Sequence, residues 1–258
     1  MARNAVLERQ NKILEALECT PKIRVEEAME FLGVSRSTVF RLFADMEEKG
    51  LILRVQGGAS LVRDNLEYTY ERFENVMLEE KKRIGQCAAS LVSNGDNLFL
   101  DTGTTLPHMC IALAKRIESG DLTGVRIFTS SLSNLNVLQK VTDVYLLGGK
   151  YRHSHRDFQG YITEEAVKPL HFSKCFLGAD GIDLHNGLTT VDFSSARLNR
   201  IVFANSSQRY VLADSSKFKK IASIKYADMT GIHGLITDRG DMEKAELLSG
   251  AGIPFLLA

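Results

Sequence analysis

The stretch that decides the fold of the N-terminal part of this chain is residues 24–59, which read RVEEAMEFLGVSRSTVFRLFADMEEKGLILRVQGGA. Gly33 can take a positive φ and end one helix, and Ser35 can accept a hydrogen bond from an N–H group at the start of the next. A strand pair with Gly57 and Gly58 at its tip follows. The stretch therefore predicts two short helices and a β-wing, an arrangement whose second helix can enter the major groove of DNA.

Apolar residues recur at intervals of three and four along this stretch and along an earlier helix predicted at 5–17. That period gives each helix one apolar face, so three helices and a wing can form a complete small domain. The residues expected in its core are Val6, Ile13, Leu14, Leu17, Ala28, Phe31, Leu32, Val39, Leu42, Phe43 and Met46.

The outward face of the second helix and the wing carry the side chains that we expect to contact DNA. Arginine, serine and threonine side chains suit phosphate oxygens and the edges of bases. The candidate DNA-binding residues are Ser35, Arg36, Ser37, Thr38, Phe40, Arg41, Arg54, Gly57 and Gly58. Two alternatives stay open at this point: the helices could form a hairpin that only packs, or a winged helix that contacts proteins.

The composition of the 258 residues sets the class of protein. Apolar residues make up 44% and charged residues 25%, as is usual for a globular protein with room for one small and one larger domain. Lysine plus arginine and aspartate plus glutamate are 32 each, so the net charge does not indicate nucleic-acid binding. The arginines of the second helix and the wing are clustered, however, and a local cluster can attract DNA.

Other classes of protein are disfavoured by the pattern of residues. The four cysteines are scattered without a CxxC pair, so we expect free thiols in a reducing compartment and not a thiolate metal site. His153 and His155 have no identifiable third ligand, and we predict no metal and no cofactor. The polar N-terminus and the lack of a long apolar run predict a cytoplasmic protein without membrane contact.

Strand-like and helix-like runs alternate through the C-terminal part, which predicts an α/β domain with a parallel or mostly parallel sheet. We predict three regions: a winged helix-turn-helix at 1–60, a charged and tyrosine-rich linker at 61–77, and the α/β domain at 78–258. Strands are predicted at 97–101, 125–129, 144–147, 174–177, 209–213, 234–237 and 254–257. Helices are predicted at 79–92, 105–119, 132–141, 161–169, 194–206 and 242–249.

The loops after these strands hold the candidate ligand-binding residues. Residues 101–105 read DTGTT, in which glycine permits a tight turn and N–H groups and threonine hydroxyls can converge on an anion such as phosphate. Capping of the following helix is the alternative explanation of this loop. Parallel strands bring all such loops to one edge of the sheet. The candidates are Asp101, Thr102, Gly103, Thr104, Thr105, Thr129, Ser130, Ser131, Gly148, Gly149 and Asp180.

Two sets of motifs resemble those of the DeoR family of bacterial sugar-metabolism repressors. The first comprises Val34-Ser35, Thr38-Val39, Arg41, Glu47, Gly50-Leu51, Arg54 and Gly57-Gly58-Ala59. The second comprises KRIG at 82–85, TSSL at 129–132, FQG at 158–160, GLTT at 187–190 and DSSKF at 214–218. The chain departs from the family pattern at Phe40, Leu42 and Asn199, where arginine, aspartate and lysine are usual.

The resemblance implies a fold and several roles. The fold is an N-terminal winged helix-turn-helix joined to a larger α/β domain, similar to ribose-5-phosphate isomerase and glucosamine-6-phosphate deaminase. Residues 102–105 would hold the phosphate of a sugar with the help of Lys81 and Lys217, while Asp101 and Asp180 face its hydroxyls. The implied partners are a double-stranded DNA operator, a phosphorylated sugar effector and further copies of the chain in a homodimer or homotetramer.

The function predicted is that of a transcription regulator, a repressor of a carbohydrate uptake or catabolism operon that a phosphorylated sugar releases from DNA. The alternative is a sugar-phosphate isomerase or deaminase-like enzyme with an appended winged helix. Such an enzyme needs a base beside the sugar carbon, yet residues 191–200 read VDFSSARLNR, in which Asp192 is the only carboxylate. The sequence thus favours a sensor, and it leaves open whether ligand binding relieves repression or causes activation.

Overall fold

A computed structural model describes residues 2–20, 22–49, 51–60, 69–239 and 248–258 of the chain. The chain divides into two compact units, residues 1–77 and 78–258. Gly50, residues 61–68 of the predicted linker and residues 242–247 of the last predicted helix lie outside the described residues. The linker and that helix therefore stay predictions.

The first unit contains the predicted helices and wing. Its helices are α1 (Ala2–Cys19), α2 (Val25–Leu32), α3 (Arg36–Glu48) and α4 (Tyr70–Phe73), and its strands are β1 (Ile23–Arg24), β2 (Leu53–Val55) and β3 (Gly58–Ser60). The strands pair antiparallel in the order β1-β3-β2.

The turn between α2 and α3 is built as the sequence predicts. Gly33 ends α2 with a φ of 62°, in the left-handed region that costs glycine little. Ser35 begins α3, because its Oγ accepts a hydrogen bond from the Thr38 N–H at 3.4 Å. At the other end of α2, the Glu27 carboxylate accepts a bond from the Arg24 N–H at 2.8 Å. Both short helices are thus fixed by local hydrogen bonds at their first turns.

Most of the predicted core of this unit is buried, with two exceptions. Phe31 is 52% exposed, because Leu32 points toward the core and the preceding residue lies about 100° away round the helix. Val6 is 38% exposed, because among the described side chains of α1 the first buried one is Gln10. These two predictions are wrong, since the period of three and four marks a face of the helix but not where that face ends.

The second unit is the α/β part of the chain. Its helices are α5 (Leu78–Ser90), α6 (Leu106–Glu118), α7 (Leu132–Leu138), α8 (Tyr161–Val167) and α9 (Phe193–Ala204). Its strands are β4 (Asn97–Leu100), β5 (Arg126–Thr129), β6 (Val144–Leu146), β7 (Lys150–Arg152), β8 (Asp157–Gln159), β9 (Phe172–Gly178), β10 (Gly181–Asp183), β11 (Gly187–Thr190), β12 (Ser206–Leu212), β13 (Ile224–Ala227), β14 (Gly234–Thr237) and β15 (Phe255–Leu257).

Seven of these strands form one parallel sheet in the order β15-β14-β12-β9-β4-β5-β6. They correspond to the seven predicted strands, so the predicted α/β class is confirmed. Successive side chains alternate between two cores: Phe99 packs on one face of the sheet, and Leu98 and Leu100 pack on the other. Because the strands are parallel, their carboxyl ends meet at one edge.

Two smaller strand groups are not predicted from the sequence. Strands β7 and β8 form an antiparallel hairpin, and β10, β11 and β13 form a three-stranded sheet. The hairpin strands read KYR and DFQ, too short and too polar to show the alternation that indicates a strand. Their position is set by contacts with neighbouring elements and not by their own pattern.

Helices α5 and α6 meet at Gly85. A Cβ atom at this position would lie 2.5 Å from the Met109 backbone nitrogen and 2.6 Å from the His108 carbonyl carbon. Glycine therefore permits the two backbones to approach. This is the structural reason for the glycine of the KRIG motif at 82–85. The contact also sets Lys81, one turn earlier on α5, in a buried position close to the carboxyl edge of the sheet.

Candidate functional site

The start of α3 presents the predicted DNA-binding side chains. Arg36 is exposed over 64% of its side chain, and its guanidinium lies over the Phe40 ring at 5.7 Å from the centroid. Arg41 is exposed and donates from Nε to the Ser37 carbonyl at 3.4 Å. Phe40, the residue that departs from the family pattern, thus shares one exposed face with both arginines.

The serine and threonine hydroxyls of this turn bond to one another. Ser35 Oγ lies 3.0 Å from Ser37 Oγ and 2.9 Å from Thr38 Oγ1. Ser35 therefore serves the helix cap, while the exposed Ser37 can reach outward. Leu42, the second departure on this helix, is buried in the core.

The two glycines of the wing meet different structural requirements. Gly57 takes a φ of 77° at the tip, whereas a Cβ on Gly58 would lie 2.1 Å from the Ile23 carbonyl oxygen. Gly58 thus permits β3 to pair with β1. Arg54 pairs with Glu47, whose carboxylate also accepts from the Arg54 N–H at 3.1 Å. The wing is therefore tied to the end of α3 by one carboxylate.

Asp101 lies at the centre of the carboxyl edge, directly after β4. Its Oδ1 accepts from the Thr102 N–H at 2.7 Å, and its Oδ2 accepts from the Gly178 N–H and from Asn199 Nδ2, each at 3.0 Å. Burial raises the pKa of Asp101 to about 6; the three hydrogen bonds oppose this shift, and the nearby Asp157 carboxylate adds to it. This aspartate joins the ends of β4 and β9 to α9.

The loop of residues 102–105 does not cap the helix that follows. Thr105 precedes α6 without a side-chain cap bond, and among the described residues the hydroxyls of Thr102, Thr104 and Thr105 have no hydrogen-bond partner. Gly103 turns with a φ of 102°, and a Cβ there would meet no atom within 4 Å. Capping therefore does not account for these threonines, and their hydroxyls are available to a ligand.

The three residues after β5 divide their work. Thr129 Oγ1 donates to the Leu100 carbonyl at 2.7 Å and accepts from the Ser131 N–H and from Asn134 Nδ2, each at 3.1 Å. Ser131 Oγ caps α7 by accepting from the Asn134 N–H at 3.2 Å. Ser130 Oγ is buried and has no partner among the described residues. Thr129 and Ser131 thus form hydrogen bonds that hold the loop and the start of α7, whereas the Ser130 hydroxyl can bond a ligand.

The glycines after β6 serve packing. Thr163 Oγ1 donates to the Gly148 carbonyl at 2.8 Å. A Cβ on Gly149 would lie 2.2 Å from that hydroxyl and 2.9 Å from the Gln159 carbonyl. These glycines therefore let the chain pass close to β8 and α8, and their contacts are with the chain itself.

Asp180, after β9, accepts through Oδ2 from Thr190 Oγ1 at 2.7 Å and from the Val191 N–H at 3.0 Å. It is half-buried. The carboxylate therefore orders the segment that leads into α9, and it also acts electrostatically on His155.

Arg152 holds the β7–β8 hairpin to α9. It donates to both oxygens of the buried Asp157, at 2.8 and 2.6 Å, and to Asp192 Oδ1 at 2.7 Å. Asp192 also caps α9 by accepting from the Ser195 N–H at 2.7 Å. Both ends of the Arg152 guanidinium are therefore engaged within the chain.

Lys81 and Lys217 are brought together with Asp214. Asp214 is 3% exposed. Burial opposes its ionisation, but the Lys217 ammonium, hydrogen bonds from Ser216 and the more distant Lys81 ammonium outweigh burial and hold its pKa below the ordinary value. The two lysines that the resemblance assigns to a phosphate thus come from α5 and from the loop after β12 to one region.

Four further polar residues surround Asp101 and are absent from the predicted site. In the sequence, Asn199 stands out only as a departure from the family pattern. The other three lie in segments whose sequence predicts a helix or a loop and gives no sign of a site. They are Asn134, Asp157, Gln159 and Asn199, each at most 2% exposed. A buried amide or carboxylate costs about 1–3 kcal/mol when unpartnered, and burial is the signal that the sequence alone does not carry.

Metal and membrane sites are not found in the described part of the chain. No group of three or more His, Cys, Asp or Glu residues there could hold a metal ion. His155 is half-buried with a lowered pKa, owing to burial and then to Arg152. Of the described helices, none has the length and apolar character needed to span a membrane.

Comparison with known proteins adds two matches that together cover most of the chain. Residues 9–65 match the DeoR-like helix-turn-helix domain and residues 76–239 the DeoR C terminal sensor domain. The chain is 32% identical over 249 residues to the lactose phosphotransferase system repressor of Staphylococcus epidermidis, covering 93% of this chain and 94% of that protein. It is 33% identical over 255 residues to the HTH-type transcriptional repressor GlcR of Bacillus subtilis, covering 97% and 95%.

A solved structure is similar in part. Ribose 5-phosphate isomerase A of Methanocaldococcus jannaschii is 21% identical, with a TM-score of 0.42 and coverage of 55% of each chain.

Proposed function

Since the chain belongs to the DeoR family of transcriptional regulators, we propose that it represses an operon for carbohydrate uptake or breakdown and leaves its operator when a phosphorylated sugar binds. A DNA-binding regulator of this family is not an enzyme, so the isomerase or deaminase alternative is set aside. The relatives from Staphylococcus epidermidis and Bacillus subtilis are named repressors, which supports repression over activation. A regulator acts where its operator lies, so we place the protein in the cytoplasm.

The proposed contact with DNA is the exposed face of α3. Arg36, Ser37, Phe40 and Arg41 lie on this face, where guanidinium and hydroxyl groups can bond phosphates and base edges. Ser35 and Thr38 hold the turn from which the face projects, and Arg54 with Gly57 supplies the wing. We separate the residues that contact DNA from those that hold the turn because Ser35 bonds to the Thr38 N–H and hydroxyl.

The proposed effector site is the carboxyl edge around Asp101. The observation that carries it is the unused threonine hydroxyls of the loop after β4, beside two lysines gathered at Asp214. Hydroxyls, loop N–H groups and ammonium groups together form the chemistry that binds a phosphate monoester.

Release from DNA requires that the sugar phosphate bind more tightly to a state with low operator affinity, and DNA must then weaken sugar binding by the same factor. Winged helices read paired half-sites, so we also propose a homodimer or homotetramer. Light scattering of the purified protein tests the assembly.

Fluorescence anisotropy tests the function directly. The full chain is titrated onto labelled DNA from upstream of its own gene, with and without a panel of sugar phosphates. We expect sequence-preferring binding that one sugar phosphate releases. Binding without sequence preference, together with turnover of a panel member, would return the enzyme alternative.

A matched pair of variants locates the effector site. Thr104→Val removes a hydroxyl from the proposed phosphate loop and keeps the shape, so the sugar response should weaken by about tenfold while operator affinity is kept. Thr123→Val makes the same change at an exposed position away from the loop and should leave both unchanged. Equal behaviour of the two variants would exclude the loop as the phosphate site.

A further inference from the structure

Three side-chain amides around Asp101 are oriented alike. Asn199 Nδ2 donates to the Asp101 carboxylate at 3.0 Å, and Asn134 Nδ2 donates to the Asp101 carbonyl at 2.8 Å. Gln159 Nε2 donates toward the Asp157 carboxylate at 3.4 Å. Carbonyl and carboxylate oxygens only accept, so each amide must present its NH2 group to them.

The carbonyl oxygens of these amides are consequently left over. The Oδ1 atoms of Asn134 and Asn199 and the Oε1 atom of Gln159 are buried and have no hydrogen-bond partner among the described residues. The region around Asp101 therefore offers three unpartnered buried amide oxygens, beside the buried hydroxyl of Ser130.

The charges of this region point the same way. Asp157, Asp180 and Asp192 act together on His155, and Asp157 also acts on Asp101. Of the four carboxylates, Asp157 and Asp192 share the Arg152 guanidinium. Burial, and then the Arg152 guanidinium, lower the pKa of His155, which disfavours its charged form.

The partners of Asp101 itself are neutral. They are the N–H groups of Thr102 and Gly178 and the amide of Asn199. A ligand that completes this region must bring hydrogen-bond donors and positive charge together. An ammonium group does both, with three N–H donors and one charge, whereas a sugar hydroxyl offers one donor and no charge.

We propose that the effector is a phosphorylated amino sugar whose ammonium group binds at Asp101, beside the free carbonyl oxygen of Asn199. This rests on the proposed function, since the phosphate of the same ligand occupies the threonine loop. Thr104 lies three residues from Asp101, which limits their separation to roughly 10 Å. A hexose ring fits between an amine and a phosphate held at those two points.

Calorimetry with matched ligands tests the proposal on the full chain. Glucosamine 6-phosphate is compared with glucose 6-phosphate, galactosamine 6-phosphate with galactose 6-phosphate, and each amine with its N-acetyl derivative. At pH 7.5 one amine should bind about tenfold or more tightly than its hydroxyl and N-acetyl counterparts. Sugar phosphates that bind without this preference would overturn the inference and leave the proposed function standing. Failure of every sugar phosphate to bind would overturn both.

A charge placed at Asn199 tests where the amine binds. Asn199→Lys supplies a protein ammonium to Asp101, so the preference for the amine should disappear or reverse. Asn136→Lys makes the same substitution on α7 at an exposed position and should keep the preference. An N199K protein that folds, by circular dichroism, and still prefers the amine contradicts the assignment. The comparison of ligands on the unmodified protein decides the question if N199K does not fold.

Discussion

The recognition helix and the carboxyl edge of the large sheet hold polar side chains in opposite ways. On α3, Arg36 and Arg41 project into solvent from a helix whose other face forms the core. Around Asp101, polar groups are buried and bonded to one another across four elements. The first surface can change its side chains with little effect on folding. The second cannot, because removing one group leaves its neighbours buried without a partner.

The largest expected effect comes from breaking the buried ion group. Arg152→Ala leaves Asp157, which is fully buried, without its guanidinium, and we expect a loss of about 3–5 kcal/mol in the free energy of unfolding. Urea denaturation measures it. Arg83→Ala is the control, since Arg83 is 51% exposed where it pairs with Glu80 on the surface of α5; its loss should be at most about 1 kcal/mol. Similar losses for both variants would mean that the hairpin does not depend on Arg152.

The second prediction concerns the pH dependence of stability at Asp101. Its pKa is raised to about 6 in the fold, so the folded state holds this proton more tightly than the unfolded chain. The resulting stability is fully present below the unfolded pKa near 4 and is lost as pH rises through about 6. The loss amounts to roughly 3 kcal/mol for a shift of about two pKa units.

Asp101→Asn isolates this contribution. As the pH rises from 4.5 to 7.5, the free energy of unfolding of the natural protein should fall relative to that of the variant. Urea denaturation at each pH measures this difference. A difference that stays constant over that range would show that Asp101 does not titrate there.

On the exposed surface, the third prediction separates binding from folding. Arg41→Ala should lower operator affinity by about 1–3 kcal/mol and reduce the salt dependence of binding, with no measurable change in unfolding. Lys82→Ala, an exposed residue of α5, should change neither. An Arg41→Ala protein that binds the operator as tightly as the natural chain would remove Arg41 from the interface.

The smallest effect is expected at the helix cap. Ser35→Ala removes the acceptor of the Thr38 N–H and should cost about 1 kcal/mol in unfolding of the first unit. Ser37→Ala, two residues later and exposed, should cost less than half as much. Thermal unfolding followed by circular dichroism resolves the two, and equal losses would argue against Ser35 as the cap.

The two surfaces also differ in how far the sequence predicts them. The turn at Gly33 and Ser35 is encoded by neighbouring residues, and each of the seven parallel strands contains a short apolar run, so local patterns suffice for both. The hydrogen bonds from side-chain amides to Asp101 join residues up to 98 positions apart. No local period marks Asn134 or Gln159 as parts of a site, because their role arises only when α7 and β8 pack near the end of β4.

Strand β9 lies at the middle of the seven-stranded sheet, between β12 and β4, and it begins more than a hundred residues after the wing is complete at residue 60. During synthesis the first unit therefore leaves the ribosome long before the centre of the sheet can pair. At ordinary translation rates that interval is on the order of ten seconds. A chain interrupted in this interval has a recognition helix and no place for a sugar, so ribosome stalling or early termination would yield fragments that compete for the operator and ignore the nutrient signal.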